Sequence, residues 1–213
     1  MLNIAIDGMA GAGKSELAKN LAKSLHIYHF NTGNVYRSLA CHYLSIYGNE
    51  LSKVTEFAKQ IKVKVSFEKD MQICYVNDKT YIKDLRTVAT SSFTAKLSPF
   101  VEIRDIVRSI QREFAKNNNC VMEGRDIGRI VLPNANFKFF LTASVTERAK
   151  RRYKELNGKE TFEEILKAIE KRDFEDINRE EGALIPAKNS IKVDTSLMNV
   201  EEVLKHCLNI IMA

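Results

Sequence analysis

IAIDGMAGAGKSELAKNLAKSL, residues Ile4 to Leu25, decides how the rest of the chain is read. Three hydrophobic residues and an aspartate run into a glycine-rich turn, then a lysine and a serine, then a helical pattern. Leu2 to Ile6 is short and apolar, as a buried strand is. Lys14 to Leu25 places Leu17, Leu21 and Leu25 four apart on one helix face. Between them Gly8, Met9, Ala10, Gly11, Ala12, Gly13, Lys14 and Ser15 fit GxxxxGK[ST] at every position. Glycines let the backbone fold into an anion-sized nest with its N–H groups turned inward. The helix that follows presents its free N-terminal amides and positive dipole end to the same point. Lys14 adds a full charge for β- and γ-phosphates, and the Ser15 hydroxyl is a ligand for Mg²⁺. The strand before the turn and the amphipathic helix after it are the context this chemistry needs, so the turn is expected to hold a nucleoside triphosphate.

Outward from that turn, the pattern alternates strand and helix. Ile27 to Phe30, Cys120 to Met122, Phe137 to Leu141 and Ile191 to Val193 read as further short strands. Asn34 to Tyr47 reads as a helix with Val35, Leu39 and Tyr43 along one side, and Val101 to Ala115 as another, ending at Asn117-Asn118-Asn119. Such βαβ alternation predicts a parallel sheet with helices on both faces. One stretch breaks it. Ile61 to Phe67 alternates apolar and polar, Met71 to Val76 follows a charged turn at Glu68, Lys69 and Asp70, and Thr80 to Ile82 is read as a third short strand after Asn77-Asp78. Consecutive strands joined by tight turns make an antiparallel meander. The expected architecture is therefore α/β, of P-loop type, with core segments 1–52, 97–146 and 181–213, an inserted β subdomain over 53–96 and a helical lid over 147–180.

Composition sets bounds. The 213 residues suffice for one sizeable core, and 45% hydrophobic with 28% charged residues is ordinary for a soluble globular chain. Lys plus Arg exceed Asp plus Glu by 33 − 27 = 6, which suits an anionic partner. Cys41, Cys74, Cys120 and Cys207 form no CxxC pair and no metal spacing with histidine, so reduced, buried thiols are expected. Asp7 interrupts the apolar run at the start and no basic segment precedes it, unlike a signal peptide. No apolar stretch reaches the ~18 residues of a membrane span. A cytoplasmic location is expected.

Among P-loop proteins, a nucleotide switch usually reads guanine through Asn-Lys-x-Asp, which this sequence lacks, and a motor is usually larger. A small-molecule kinase fits better. Transfer between two phosphate anions needs charge neutralisation more than covalent chemistry, and the sequence supplies the charges. Thr32, Tyr36 and Arg37 follow the second strand. Glu123-Gly124-Arg125-Asp126 ends an apolar strand, where a carboxylate would stand beside the phosphate loop and orient Mg²⁺. Arg148 to Lys154 (RAKRRYK) holds five basic residues and no acid. Alone it reads as a solvated helix face or a nucleic-acid patch. After a break at Asn157-Gly158, a second helix ends Lys171-Arg172-Asp173-Phe174-Glu175-Asp176-Ile177-Asn178-Arg179. Two Arg-bearing helices joined by a Gly-containing loop read as a lid that closes over the transferring phosphoryl and excludes water.

With these residues in view, the chain resembles the bacterial cytidylate kinases, P-loop nucleoside monophosphate kinases that phosphorylate CMP and dCMP. The resemblance covers nearly the whole length. It rests on Ile6-Asp7-Gly8 through Ser15, Thr-Gly-Asn-Val-Tyr-Arg at 32–37, Glu-Gly-Arg-Asp-Ile-Gly at 123–128, Arg148 to Arg152, and Arg172-Asp173 through Asn178-Arg179. It implies that Gly8 to Ser15 bind ATP and Mg²⁺, with Ser15 the metal ligand. It implies that Thr32, Tyr36, Arg37 and Arg104 line the CMP site, and that Arg125 and Asp126 face the CMP phosphate and sugar. Arg151 and Arg172 are implied as lid arginines. Asp176 and Arg179 are implied as the pair reaching the acceptor nucleotide. With Lys14, the residues Arg125, Asp126, Arg151 and Arg172 make the implied catalytic set. The strands near 61–82 resemble that family's enlarged monophosphate-binding domain. A monomer acting on small nucleotides, with no nucleic-acid or membrane partner, is implied as well. The sequence departs from the family pattern at Glu123, where Asp is frequent, and at Ala95, where a serine that helps read cytosine is frequent; Thr94 stands beside it. Two other readings stay open: a kinase for UMP, dTMP or another small phosphate acceptor, and a nucleotide-dependent protein that uses RAKRRYK on nucleic acid.

Overall fold

In a computed structural model of the chain, residues 1–69, 71–85, 87–156 and 160–213 are described. The expected turn residue Asp70 and the Asn157-Gly158 break lie outside them. The chain divides into two compact units, one of Phe30–Asn118 with Met1, the other of Leu2–His29 with Asn119–Ala213.

Except for Phe30 and Asn31, at the end of its second strand, the α/β layer lies in the second unit. Its sheet is ordered β2-β5-β1-β6-β7, from β1 (Asn3–Gly8), β2 (Tyr28–Asn31), β5 (Cys120–Glu123), β6 (Phe137–Thr142) and β7 (Ile191–Asp194). β1 runs parallel to β5 and β6, and β6 parallel to β7. The strand entering the glycine turn is thus central, and β1, β5 and β6 read as near-continuous apolar runs because both faces are covered. Ile4, Ile6, Val121, Phe139, Leu141 and Val193 form one buried cluster with Leu17 and Leu21 of α1 (Lys14–Leu25) and with Val203 and Cys207 of α8 (Val200–Met212). Leu25 packs partly buried against that cluster, so the predicted face of α1 is the buried one. The order places the carboxyl ends of β1 and β5 at the topological switch point, where open α/β sheets bind ligands.

α6 (Val145–Leu156) and α7 (Phe162–Ile177) share a smaller core of Ala149, Ile165 and Ile169, with Val145, Leu156, Phe162 and Leu166 packed on it. Thr161 and Glu164 start α7 with a reciprocal capping box.

The other unit carries α2 (Thr32–Tyr47), α3 (Val54–Gln60), the antiparallel pair β3 (Val63–Glu68) and β4 (Met71–Val76), α4 (Val88–Leu97) and α5 (Val101–Asn117). Val35, Leu39 and Tyr43 of α2 are fully buried, as their spacing predicts. Asn31 caps α2: its side chain accepts from Asn34 N–H at 2.9 Å. No strand forms over Thr80–Ile82. Asn77 and Asp78 both take positive φ (45° and 63°), the signature of a tight hairpin turn, and Val76 and Lys79 exchange both backbone bonds across it. Beyond that bridge the Tyr81 hydroxyl meets His42 Nδ1 on α2 at 2.6 Å, drawing the chain away from the ladder.

All four cysteines are free and buried, as expected. No helix among the described residues is long and apolar enough to cross a membrane.

Candidate active site

The phosphate loop is built by tying its carbonyls to the framework. Lys14 Nζ donates to Met9 C=O at 2.6 Å, Arg148 to Ala10 C=O at 3.2 Å, and Thr195 Oγ1 to Ala12 C=O at 3.2 Å. In a trans peptide the next N–H points opposite to the carbonyl. The amides of Ala10, Gly11 and Gly13 are therefore turned away from those anchors. Gly8 is required by the sheet: at φ +144°, a Cβ there would sit 2.1 Å from Leu141 C=O of the neighbouring strand. Gly13 opens α1 in the left-handed conformation, φ 89°, which glycine alone adopts at no steric cost.

Lys14 is 7% exposed. Burial, and next the positive charge of Arg125, hold its ammonium well below the ordinary lysine range; Glu123 opposes them and Arg172 adds to the depression. A cation crowded by cations is a site that gains when an anion arrives.

Asp176 on α7 gathers the arginines. It is 1% exposed. Arg125 Nε donates to its Oδ2 at 2.8 Å, Arg172 Nε lies 4.0 Å from that oxygen, and Arg179 pairs with Oδ1. Burial works against its ionisation, but Arg125, then Arg179 and Arg172, outweigh it and keep the carboxyl below the usual range. Asp176 C=O also accepts from Leu184 N–H at 2.8 Å, which fixes the segment after α7.

At the end of β5, Glu123 is buried and accepts from Ser15 Oγ at 2.7 Å and from His29 Nε2 at 3.0 Å. Burial raises its pKa, yet the His29 bond and charge, with Ser15 and Lys14, bring it below the ordinary glutamate value. Hydroxyl and carboxylate are hard oxygen donors at the mouth of the phosphate loop, and they fit Mg²⁺, which takes one or two protein oxygens plus substrate phosphates.

Asp126 is buried and opens a single π-helical turn, Ile127–Val131. Asp7, on β1, holds that turn in place. Its Oδ1 accepts from Ile127 N–H at 2.8 Å and its Oδ2 from Gly128 N–H at 2.7 Å. Burial pushes the Asp7 carboxyl up to about 6, while the two amide bonds pull it down. Sequence reading did not select Asp7 as a site residue. Its signal was a lone acid in an otherwise apolar strand.

The basic run RAKRRYK does not form one charged face. Arg148 is 3% exposed and pairs with Asp173 of α7 at 2.6 Å. Lys150 pairs with Glu147, and Arg152 with Glu155. Arg151 donates to Thr195 Oγ1 at 3.1 Å and to Thr195 C=O, so it is anchored beside the residue that holds Ala12.

In the Phe30–Asn118 unit, Thr32 and Arg104 are buried, and Gln111 Nε2 donates to Thr32 Oγ1 at 2.8 Å. Arg37 donates to Asn34 Oδ1 at 3.0 Å, and Tyr36 stands beside it on α2. Arg104 reaches Ser98 C=O at 3.4 Å. Thr94, the neighbour of Ala95, spends its hydroxyl on Thr90 C=O at 2.7 Å within α4.

Residues 4–213 match the family model described as cytidylate kinase. The chain belongs to the cytidylate kinase family. Cytidylate kinases of Thermosipho melanesiensis and Caldicellulosiruptor saccharolyticus are 40% and 36% identical to it, each aligned over 98% of this chain and 95% of its own length. The cytidylate kinase of Fervidobacterium nodosum is 39% identical over the same shares. The resemblance read from Gly8–Ser15, 32–37 and 123–128 thus holds along the whole family match, and the chain is a nucleotide-phosphate kinase. Among solved structures, a shikimate kinase from Acinetobacter baumannii in complex with shikimate shares the fold, with a TM-score of 0.51 and 14% identity over 100% of this chain and 93% of that one.

Proposed function

We propose that this cytidylate kinase family member transfers the γ-phosphoryl of ATP to CMP and dCMP, forming CDP or dCDP and ADP. The observation that carries the reading is the pair of cationic centres in one unit: Lys14 inside the phosphate loop, and Arg125, Arg172 and Arg179 around buried Asp176, with Arg125 and Arg172 both acting on Lys14.

The donor triphosphate lies on the amides of residues 8–15, with Lys14 on the β- and γ-phosphates. Ser15 and Glu123 would hold Mg²⁺, which would supply charge neutralisation to the triphosphate. The acceptor phosphate is already ionised near neutral pH, so its oxygen needs no strong general base. That oxygen forms a bond to the γ-phosphorus as the bond from phosphorus to the β,γ-bridging oxygen breaks, and ADP leaves with the electron pair. Arg125, Arg172 and Arg179 neutralise the acceptor and the equatorial oxygens, and Asp176, which gathers these arginines, reaches the acceptor nucleotide together with Arg179. Arg151 belongs to the same group through the lid of residues 147–180. Thr32, Tyr36, Arg37 and Arg104, with Asp126, recognise the acceptor nucleotide, and residues 53–96 form the monophosphate-binding insertion. The enzyme acts on free nucleotides, as a monomer in the cytoplasm.

Coupled ADP release with ATP and Mg²⁺ across CMP, dCMP, UMP, dTMP and AMP tests the proposal, with Lys14→Ala as control. CMP and dCMP should be the best acceptors. Equal or better rates with AMP or dTMP would refute the assignment.

A further inference from the structure

The Glu123 carboxylate is held at both ends, and by different elements. Ser15 Oγ, at the start of α1, donates to Oε2 at 2.7 Å. His29 Nε2, on β2, lies 3.0 Å from Oε1. An ionised carboxylate only accepts, so His29 presents Nε2–H to it. Glutamate carries one more torsion than aspartate, and a longer side chain must be frozen at greater entropic cost before its oxygen meets a fixed partner. Residue 123 is 5% exposed, so its carboxylate relies on protein donors rather than on solvent. His29 supplies one of them at Oε1 and fixes the carboxylate plane.

We infer that His29 is a positioning residue of the metal–nucleotide site, its Nε2–H holding the Glu123 carboxylate so that the other oxygen stays on the Ser15 hydroxyl. The inference rests on the reading of Ser15 and Glu123 as the Mg²⁺-binding pair. His29 touches neither nucleotide nor metal and acts through Glu123 alone. Outer partners of this kind are worth 10–100-fold in metal affinity in other sites.

The test is ATP binding by calorimetry, with and without Mg²⁺, for the whole chain and its variants, with thermal melting to establish that each is folded. The readout is the gain in ATP affinity that Mg²⁺ confers. His29→Leu should cut that gain about tenfold while ATP binding without Mg²⁺ is unchanged. His29→Gln, whose amide N–H reaches to nearly the same point, should restore most of it. If His29→Leu does not fold, His29→Asn takes its place, since its amide stops short of Glu123. A folded His29→Leu or His29→Asn with the full Mg²⁺ gain, or a His29→Gln no better than either, overturns the inference. Glu123→Ala separates the two levels: it should abolish the gain, and if it does not, the underlying assignment of the metal pair fails rather than the role of His29 alone.

Discussion

Replacing Arg148 by methionine should loosen the phosphate loop and destabilise the fold together. Methionine keeps most of the aliphatic stem and removes the guanidinium. That group makes a 2.6 Å ion pair with Asp173 and donates to Ala143 C=O at 2.9 Å and Ala10 C=O at 3.2 Å. The Arg148 side chain is 3% exposed and that of Asp173 13%, so neither charge is well served by solvent. Removing one partner of a buried pair strands the other and costs about 3–5 kcal/mol. At about 2–4 °C per kcal/mol for a chain of this size, the melting temperature should fall by roughly 6–20 °C. Because Ala10 lies in the phosphate loop, ATP affinity should fall as well, beyond what partial unfolding explains. The double variant Arg148→Met/Asp173→Leu leaves no stranded carboxylate and should recover more than half of the lost stability. Urea or thermal unfolding of the two singles and the double makes a complete cycle. A single variant within about 1 kcal/mol of wild type, or a double whose loss equals the sum of the singles, would refute the reasoning.

Lys14→Met should lower kcat by roughly 10²–10³, the loss seen when one donor to developing charge is removed, and steady-state ADP release measures it. Arg151→Ala should lose turnover far more than ATP affinity, read by comparing kcat with the dissociation constant; unchanged turnover would reduce Arg151 to its anchor on Thr195. Asp7 gives a pH signature of defined sign. Its carboxyl is raised from 3.8 to about 6, mainly by burial, so between those values the folded chain holds a proton that the unfolded chain has given up. Stability relative to Asp7→Asn should therefore fall as pH rises from about 4 to about 6, by about 3 kcal/mol in all, and level off above. Urea melts of both proteins across that range check it, and a difference that is flat or rises with pH contradicts it.

Local chemistry made much of this fold legible. Gly8 is demanded by a position a Cβ cannot share and Gly13 by its positive φ, and Leu17, Leu21, Val35, Leu39 and Tyr43 repeat at helical spacing because one face is buried. What escaped the sequence was set by partners distant along the chain. Tyr81 continued a strand-like pattern, but His42 captures its hydroxyl, and no local rule weighs that bond against one more ladder pair. Arg148 looked like one of five equivalent cations, because its partner Asp173 stands 25 positions on and Ala10 far upstream. The π-helical turn after Asp126 likewise depends on Asp7, more than a hundred residues before it. Glu123 was legible as a strand-end carboxylate; its bond to His29 was not, since His29 reads as an ordinary strand residue.

Single-turnover transfer from ATP labelled at the γ-phosphate tests the central claim most directly. With CMP and Mg²⁺ the label should appear in CDP, little should appear as inorganic phosphate, and Lys14→Ala should stop both. Label released as inorganic phosphate at the same rate with or without CMP would contradict the account.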